Sequence, residues 1–242
     1  MHIHKPKVAR SVREFLSEIG IIVVGILIAL TGEQFVEAIS WHHKVEATEA
    51  AIKTEMGDNL RFARRVQRLD SCAMRFMDAL QAAIITNDTT TVRKLDSVRD
   101  APFPAAPWSS GTFTAAMGSQ VEDHLPDGRM AAYSREFTWI PLQMEFQNKL
   151  FDELVASTTA RFGLPQSPET LDRQLAAVDE ARSYERGRLD IADAMLRYAN
   201  AKLALAPPDS AVDQAMGARA KACEAQIEAI AAAAKRAGNQ PR

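Results

Sequence analysis

Apolar residues recur at intervals of three and four along Ile52, Met56, Leu60, Ala63, Val66, Leu69, Ala73, Phe76, Leu80 and Ile84. That spacing lines one face of an α-helix. No proline lies between Lys7 and Pro102, so the helix is read as continuous with one that starts far upstream. Ser11-Val-Arg-Glu14 has the form of a capping box for that start. Asn87-Asp88-Thr89 ends it. A short helix is expected over 91–98. A loop over 101–111 follows, with prolines at 102, 104 and 107, and then a short helix over 112–120. Pro126 suits a first helical position. The helix it opens is expected to reach about residue 162, with the stripe Met130, Tyr133, Phe137, Ile140, Met144, Phe151 and Leu154. Pro141 should kink it, and Gly163 and Pro165 should stop it. Ser167-Pro168-Glu169 caps a further helix to Leu205. After Pro207-Pro208-Asp209-Ser210, a last helix carries Val212, Met216, Ala220, Cys223, Ile227, Ile230 and Ala234 on one face.

Alternating strand patterns between turn signals are nearly absent. The fold class expected is all-α. One-sided stripes must be buried against one another, so the expected architecture is one N-terminal transmembrane helix continuing into an antiparallel helical bundle.

The reading of that first helix as transmembrane rests on residues 19–32, IGIIVVGILIALTG, which carry no charge. As a helix they span about 21 Å, short of a hydrocarbon core of about 30 Å. Phe15 and Leu16 before the run, and Phe35, Val36, Ile39 and Trp41 after it, extend the apolar stretch. Residues 15–41 are long enough to span if Glu18, Glu33 and Glu37 lie near the interfaces or against protein. Trp41 then falls at headgroup level, where Trp is favoured. A cleaved signal peptide is a second reading, although no small-x-small site closes the run cleanly. A buried core helix is a third. The organisation expected from the first reading is a cytoplasmic tail over 1–17, a span over 18–41 and a helical module over 42–242.

Charge adds a direction. Residues 1–17 carry Lys5, Lys7, Arg10 and Arg13 against Glu14, a net +3. Residues 33–60 carry two lysines against six carboxylates, a net −4. The excess of basic residues places the N-terminus in the cytoplasm. The expected location is therefore the bacterial inner membrane, with the C-terminal module in the periplasm. Over the whole chain of 242 residues the formal net charge is −2, with 47% hydrophobic and 25% charged residues. That composition argues against a disordered chain. With no basic block, nucleic acid is not an expected partner.

The stretch Ser17-Glu-Ile-Gly-Ile-Ile-Val-Val-Gly-Ile-Leu-Ile-Ala-Leu30 resembles the N-terminus of an uncharacterised family of bacterial membrane-anchored helical proteins. The pattern of that family reads E-I-x-x-V-x-x-G-I-L-I-A-L and is followed by a polar helix containing a Trp, here Trp41. Ile22 stands where the pattern has Val. The segment from Trp108-Ser-Ser-Gly-Thr-Phe113 to Tyr133 is similar in outline to the family's turn and following helices. The resemblance implies an anchored topology and no particular chemistry.

Four features are candidates for function. Glu18, Gly25, Ala29 and Gly32 share one helical face, where small residues let a second helix approach. Glu18 there is either a packing or proton-carrying carboxylate, or an interfacial group paired with nearby basic residues. Cys72 and Cys223 are the only cysteines; they form either one disulfide, as an oxidising compartment allows, or two buried thiols. Phe103, Trp108 and Phe113 either present a partner-binding loop or plug one end of the bundle. His42 and His43 are adjacent and point apart, so with Glu46 and Glu49 they make a poor ligand set; His124 has no ligand set around it, and no metal is expected. Residues 179–190, rich in both signs of charge, read as a solvated helix face. Gly-rich phosphate loops, nucleophile elbows, H-E-x-x-H and C-x-x-C are all absent. No cofactor and no catalytic residue are expected, and the protein is read as a non-enzyme.

The expected partners are the lipid bilayer and another membrane or periplasmic protein, or a second copy of the chain. The expected function is an accessory or scaffold subunit of a membrane complex, or a homo-oligomer. A periplasmic ligand-binding sensor module, and a proton-coupled membrane subunit using Glu18, are the alternatives.

Overall fold

The computed structural model describes residues 12–126, 128–158, 167–205 and 210–238. The fold is all-α. The helices are α1 (Val12–Ile85), α2 (Thr89–Asp96), α3 (Gly111–Met117), α4 (Arg129–Phe137), α5 (Trp139–Thr158), α6 (Pro168–Tyr198) and α7 (Ser210–Gly238). A 3-10 turn, Gln120–His124, follows α3, and a π-helical turn, Ala199–Leu203, extends α6. The chain divides into two units, Met1–Glu49 and Ala50–Arg242. The capping box at Ser11, the stop at Gly163 and Pro165, and the break at Pro207 and Pro208 lie outside the described residues.

In the first unit, the apolar run of α1 is exposed throughout. No residue of its most apolar window is buried. It is long and apolar enough to cross a membrane.

The second unit is a helical bundle built on α1 from Ala50 onward. All ten apolar residues of the predicted stripe are buried. They divide into two clusters. One gathers Ile52 to Val66 with Tyr133, Phe137, Ile140, Ala192 and Met195. The other gathers Cys72 to Ile84 with Leu95, Phe103, Leu150, Leu154, Val178 and Ile227. Side-chain pairing fixes the helix directions. Gln67 donates to Asp193 and Arg182 to Asp78, so α1 and α6 run antiparallel. Gln143 donates to the carbonyl of Arg188 and Gln174 to that of Ser157, so α5 and α6 run antiparallel too. Where Phe146 lies on α6, a Cβ on Gly187 would come within 2.5 Å of its ring. In contrast α7 runs parallel to α1, with Ser71 paired to Glu224 and Arg75 to Glu228.

This arrangement needs a return path between α1 and α5, and the proline-rich segment supplies it. Phe103 stacks edge-on against Phe76, Trp108 against Phe62, and Ser109 reaches Asn59. The strap therefore descends α1 toward its earlier residues. Prolines at 102, 104 and 107 remove three N–H donors that a buried strap would otherwise have to satisfy. Two of its backbone positions, Ala106 and Ser109, are met by side chains of α5 and α1. Gln147 accepts from the Ala106 N–H at 3.2 Å and donates to its carbonyl at 3.4 Å. Asn59 accepts from the Ser109 N–H at 3.1 Å and donates to its carbonyl at 2.6 Å.

Two predicted elements change. The helix expected to open at Pro126 begins at Arg129, after Gly128 in the left-handed region at φ 79°. It breaks at Thr138 instead of kinking. The restart at Trp139 puts Pro141 in the first turn of α5, where its missing N–H costs no hydrogen bond. The break also shifts the stripe: Gln143 faces inward, whereas Met144 is 45% exposed.

Candidate functional site

Glu18, Gly25, Ala29 and Gly32 lie in α1 and are exposed. A Cβ added at Gly25 or Gly32 would meet nothing within 4 Å. Nearby, Thr31 turns its hydroxyl back onto the Leu27 carbonyl at 2.6 Å, which removes a polar group from the surface of the run. At the end of the apolar stretch, Trp41 Nε1 donates to Glu37 at 3.4 Å and the Lys44 ammonium sits 4.7 Å over the Trp41 ring. Both polar partners are one turn or less from the indole and suit an interfacial Trp. The His42 and His43 rings are 6.0 Å apart and tilted. Among the described residues, no group of three His, Cys, Asp or Glu side chains is arranged to hold a metal ion. His124 is exposed at the end of the 3-10 turn.

Cys72 and Cys223 are joined in a disulfide with Cα atoms 6.0 Å apart, inside the ordinary range. The bond ties α7 to α1 across a sequence separation of 151.

The aromatic loop requires a correction. Phe103, Trp108 and Phe113 are 0%, 6% and 9% exposed. They fill the bundle core, and Phe113 stacks on Phe137 with ring centres 4.5 Å apart. They leave no aromatic surface for a partner. Glu55 helps hold this end. It accepts from the Thr112 N–H at 3.1 Å and the Phe113 N–H at 3.0 Å, capping α3 from outside, where Ser110 makes no side-chain cap. Burial pushes the Glu55 carboxyl up, but hydrogen bonds from Ser109 and the backbone of residues 111–113 outweigh it and hold it below its usual range.

The mixed-charge stretch also requires correction. Asp179, Glu180, Arg186 and Asp190 are exposed, as expected. Glu185 and Arg188 are instead 1% and 2% exposed. They pair at 2.7 Å between the two apolar clusters, next to Asp70 and Gln143. Burial pushes the Glu185 carboxyl up; Arg188 opposes this and Asp70 adds to it. Asp70 is pushed up by burial and by Asp193, with Arg186 opposing. A second buried carboxylate, Glu136 on α4, is 1% exposed, and neither of its oxygens has a partner among the described residues. Burial pushes it up to about 8.

The sign of the Glu136 effect follows from linkage. The folded carboxyl keeps a proton that the unfolded chain has released above pH 4.5, so stability falls as pH rises toward 8. At about 1.4 kcal/mol per pH unit, the loss between pH 5 and pH 7 is about 3 kcal/mol. Urea unfolding of the full chain in detergent at the two pH values measures it. Glu136→Gln should flatten that slope.

No protein family, curated protein or solved structure matches this chain. The resemblance of the anchor stretch therefore rests on its quoted residues alone. What the fold defines is an all-α protein: a helical bundle with one candidate membrane-spanning helix near the N-terminus.

Proposed function

We propose that this chain is a single-span inner-membrane protein with a cytoplasmic N-terminus and a periplasmic helical module. Its role is that of an accessory or scaffold subunit in a membrane complex, with another membrane protein or a second copy as partner. The observation that carries the reading is the fully exposed apolar run of α1, which has a small-residue face and no side chain over Gly25 or Gly32. Lipid supplies the environment such a run needs. A neighbouring helix fits a face where glycines permit close backbone approach. The Cys72–Cys223 disulfide supports export, because such bonds persist in oxidising compartments and are rare in the cytosol. The excess of basic residues before the run supports the orientation.

The test is native electrophoresis and mass spectrometry of the full-length chain extracted in mild detergent. A complex larger than the monomer is expected. Gly25→Leu with Gly32→Leu should dissociate it while leaving the helical content and melting of the soluble module unchanged. A monomer with no associated protein, or a complex indifferent to both leucines, would overturn the reading.

A further inference from the structure

The α1–α7 seam carries a cleft of about 320 Å³ beside the disulfide. Its walls are Arg65 and Leu69 from α1, Asp100, Ala101 and Pro104 from the start of the strap, and Met216, Arg219, Ala222, Cys223 and Gln226 from α7. The volume is at the small end of the range for ligand pockets. Leu69, Met216 and Cys223 are themselves buried and form an apolar floor.

The charge pattern along this seam changes at the cleft. On the far side of the disulfide, cations and carboxylates are matched: Arg75 pairs with Glu224 and Glu228. Elsewhere on α1, Arg61 pairs with Asp58 and Arg64 donates to Gln67. At the cleft, Arg65 and Arg219 make no ion pair or hydrogen bond among the described residues, and the one carboxylate in the wall, Asp100, bonds to neither. Two guanidinium groups and one carboxylate among the lining side chains leave an excess positive charge beside an apolar floor. A guanidinium presents a planar fork of donors matched to a carboxylate.

We propose that this cleft binds a small organic monocarboxylate of roughly a dozen heavy atoms, its carboxylate held by Arg65 and Arg219 and its apolar body laid against Leu69, Met216 and Pro104. Asp100 sets the limit on ligand charge: it disfavours a second anionic group. The site goes beyond the proposed scaffold role and does not depend on what covers the anchor, so either can fail alone. Because Cys223 lines the floor, the disulfide holds the α7 wall in place, and reduction should weaken binding.

The probe is 4-phenylbutyrate, with the uncharged 4-phenylbutyramide as its isosteric control. Binding to the full-length protein in lipid nanodiscs is measured by saturation-transfer NMR and calorimetry, against empty nanodiscs. The expected result is saturable binding of phenylbutyrate with a Kd of about 1 mM or tighter, and binding at least about tenfold weaker for the amide. Arg65→Gln and Arg219→Gln should each weaken phenylbutyrate binding with the amide unaffected, and Asp100→Asn should tighten it. These side chains are on the surface, and unchanged melting of each variant certifies its fold. Absence of saturable binding, equal binding of acid and amide, or full binding by the Arg65→Gln, Arg219→Gln double variant would overturn the proposal.

Discussion

Removing the Cys72–Cys223 bond is expected to lower the stability of the module by about 5 kcal/mol, the loop-closure value for a loop of this length. In a domain of this size that corresponds to a fall of about 10–20 °C in Tm. The physical reason lies in how little else holds α7. Among its described side chains, the buried ones are Met216, Ala220, Cys223 and Ile227, two of them small, with Ile230 partly buried beside them. Its polar ties to α1, Ser71 with Glu224 and Arg75 with Glu228, are exposed. Exposed pairs contribute about 1 kcal/mol at most. The bond is therefore the main tether of α7, and its loss should act on α7 first. Thermal unfolding of the full chain with and without reductant, and of the Cys72→Ala, Cys223→Ala variant, measures the total. Hydrogen exchange reports the order: protection in α7 should fall before protection in α5 and α6. A change in Tm below about 3 °C would show that α7 is held by packing rather than by the bond.

The second large effect concerns the buried charge layer. Arg188→Met leaves Glu185 in the core without its cation, and breaking a buried pair in that way costs about 3–5 kcal/mol. Replacing both, Glu185→Leu with Arg188→Met, should restore most of that loss, since apolar replacements of buried pairs are often neutral or stabilising by about 1–4 kcal/mol. Denaturant unfolding of the wild type, the two single variants and the double variant gives the coupling between the residues directly. The layer also sits where a register mark is useful. On α6 it separates Val178 and Ala181 of one apolar cluster from Ala192 and Met195 of the other. On α1 the corresponding positions are Gln67 and Asp70, and on α5 Gln143. Sliding any of these helices by one turn would bury a charge against hydrocarbon. The double variant, although stable, is therefore expected to melt with lower cooperativity.

Periodicity made most of the bundle legible. The α1 stripe from Ile52 to Ile84 and the α7 stripe through Met216, Cys223 and Ile227 are buried as their spacing implied. The Ser167 cap was equally readable: its hydroxyl accepts from the Thr170 N–H at 3.2 Å, with Pro168 in the first turn. What periodicity hid was polar residues at core positions. The buried face of α6 runs through Gln174, Ala177, Ala181, Glu185, Arg188, Ala192 and Met195, an unbroken helical spacing. Scoring only apolar residues made its middle look solvated, when the spacing itself marked Glu185 and Arg188 as inward. The strap was legible only as a choice between a partner-binding loop and a plug of the bundle. Its prolines mark a loop, but only tertiary contacts with Asn59, Gln147 and Glu55 show that the loop is buried. The cleft at Arg65 and Arg219 depends on α7 lying parallel to α1, which follows from the strap's path and not from either helix alone.

Membrane topology decides whether the module is anchored and exported. The full-length chain with a C-terminal epitope is expressed in Gram-negative cells, and intact spheroplasts are treated with protease after thiol trapping. The chain is expected to remain in the membrane through carbonate extraction, the epitope to be removed from intact spheroplasts, and Cys72 and Cys223 to be bonded. A chain released by carbonate, or an epitope protected until the membrane is lysed with both thiols free, would contradict anchoring and export.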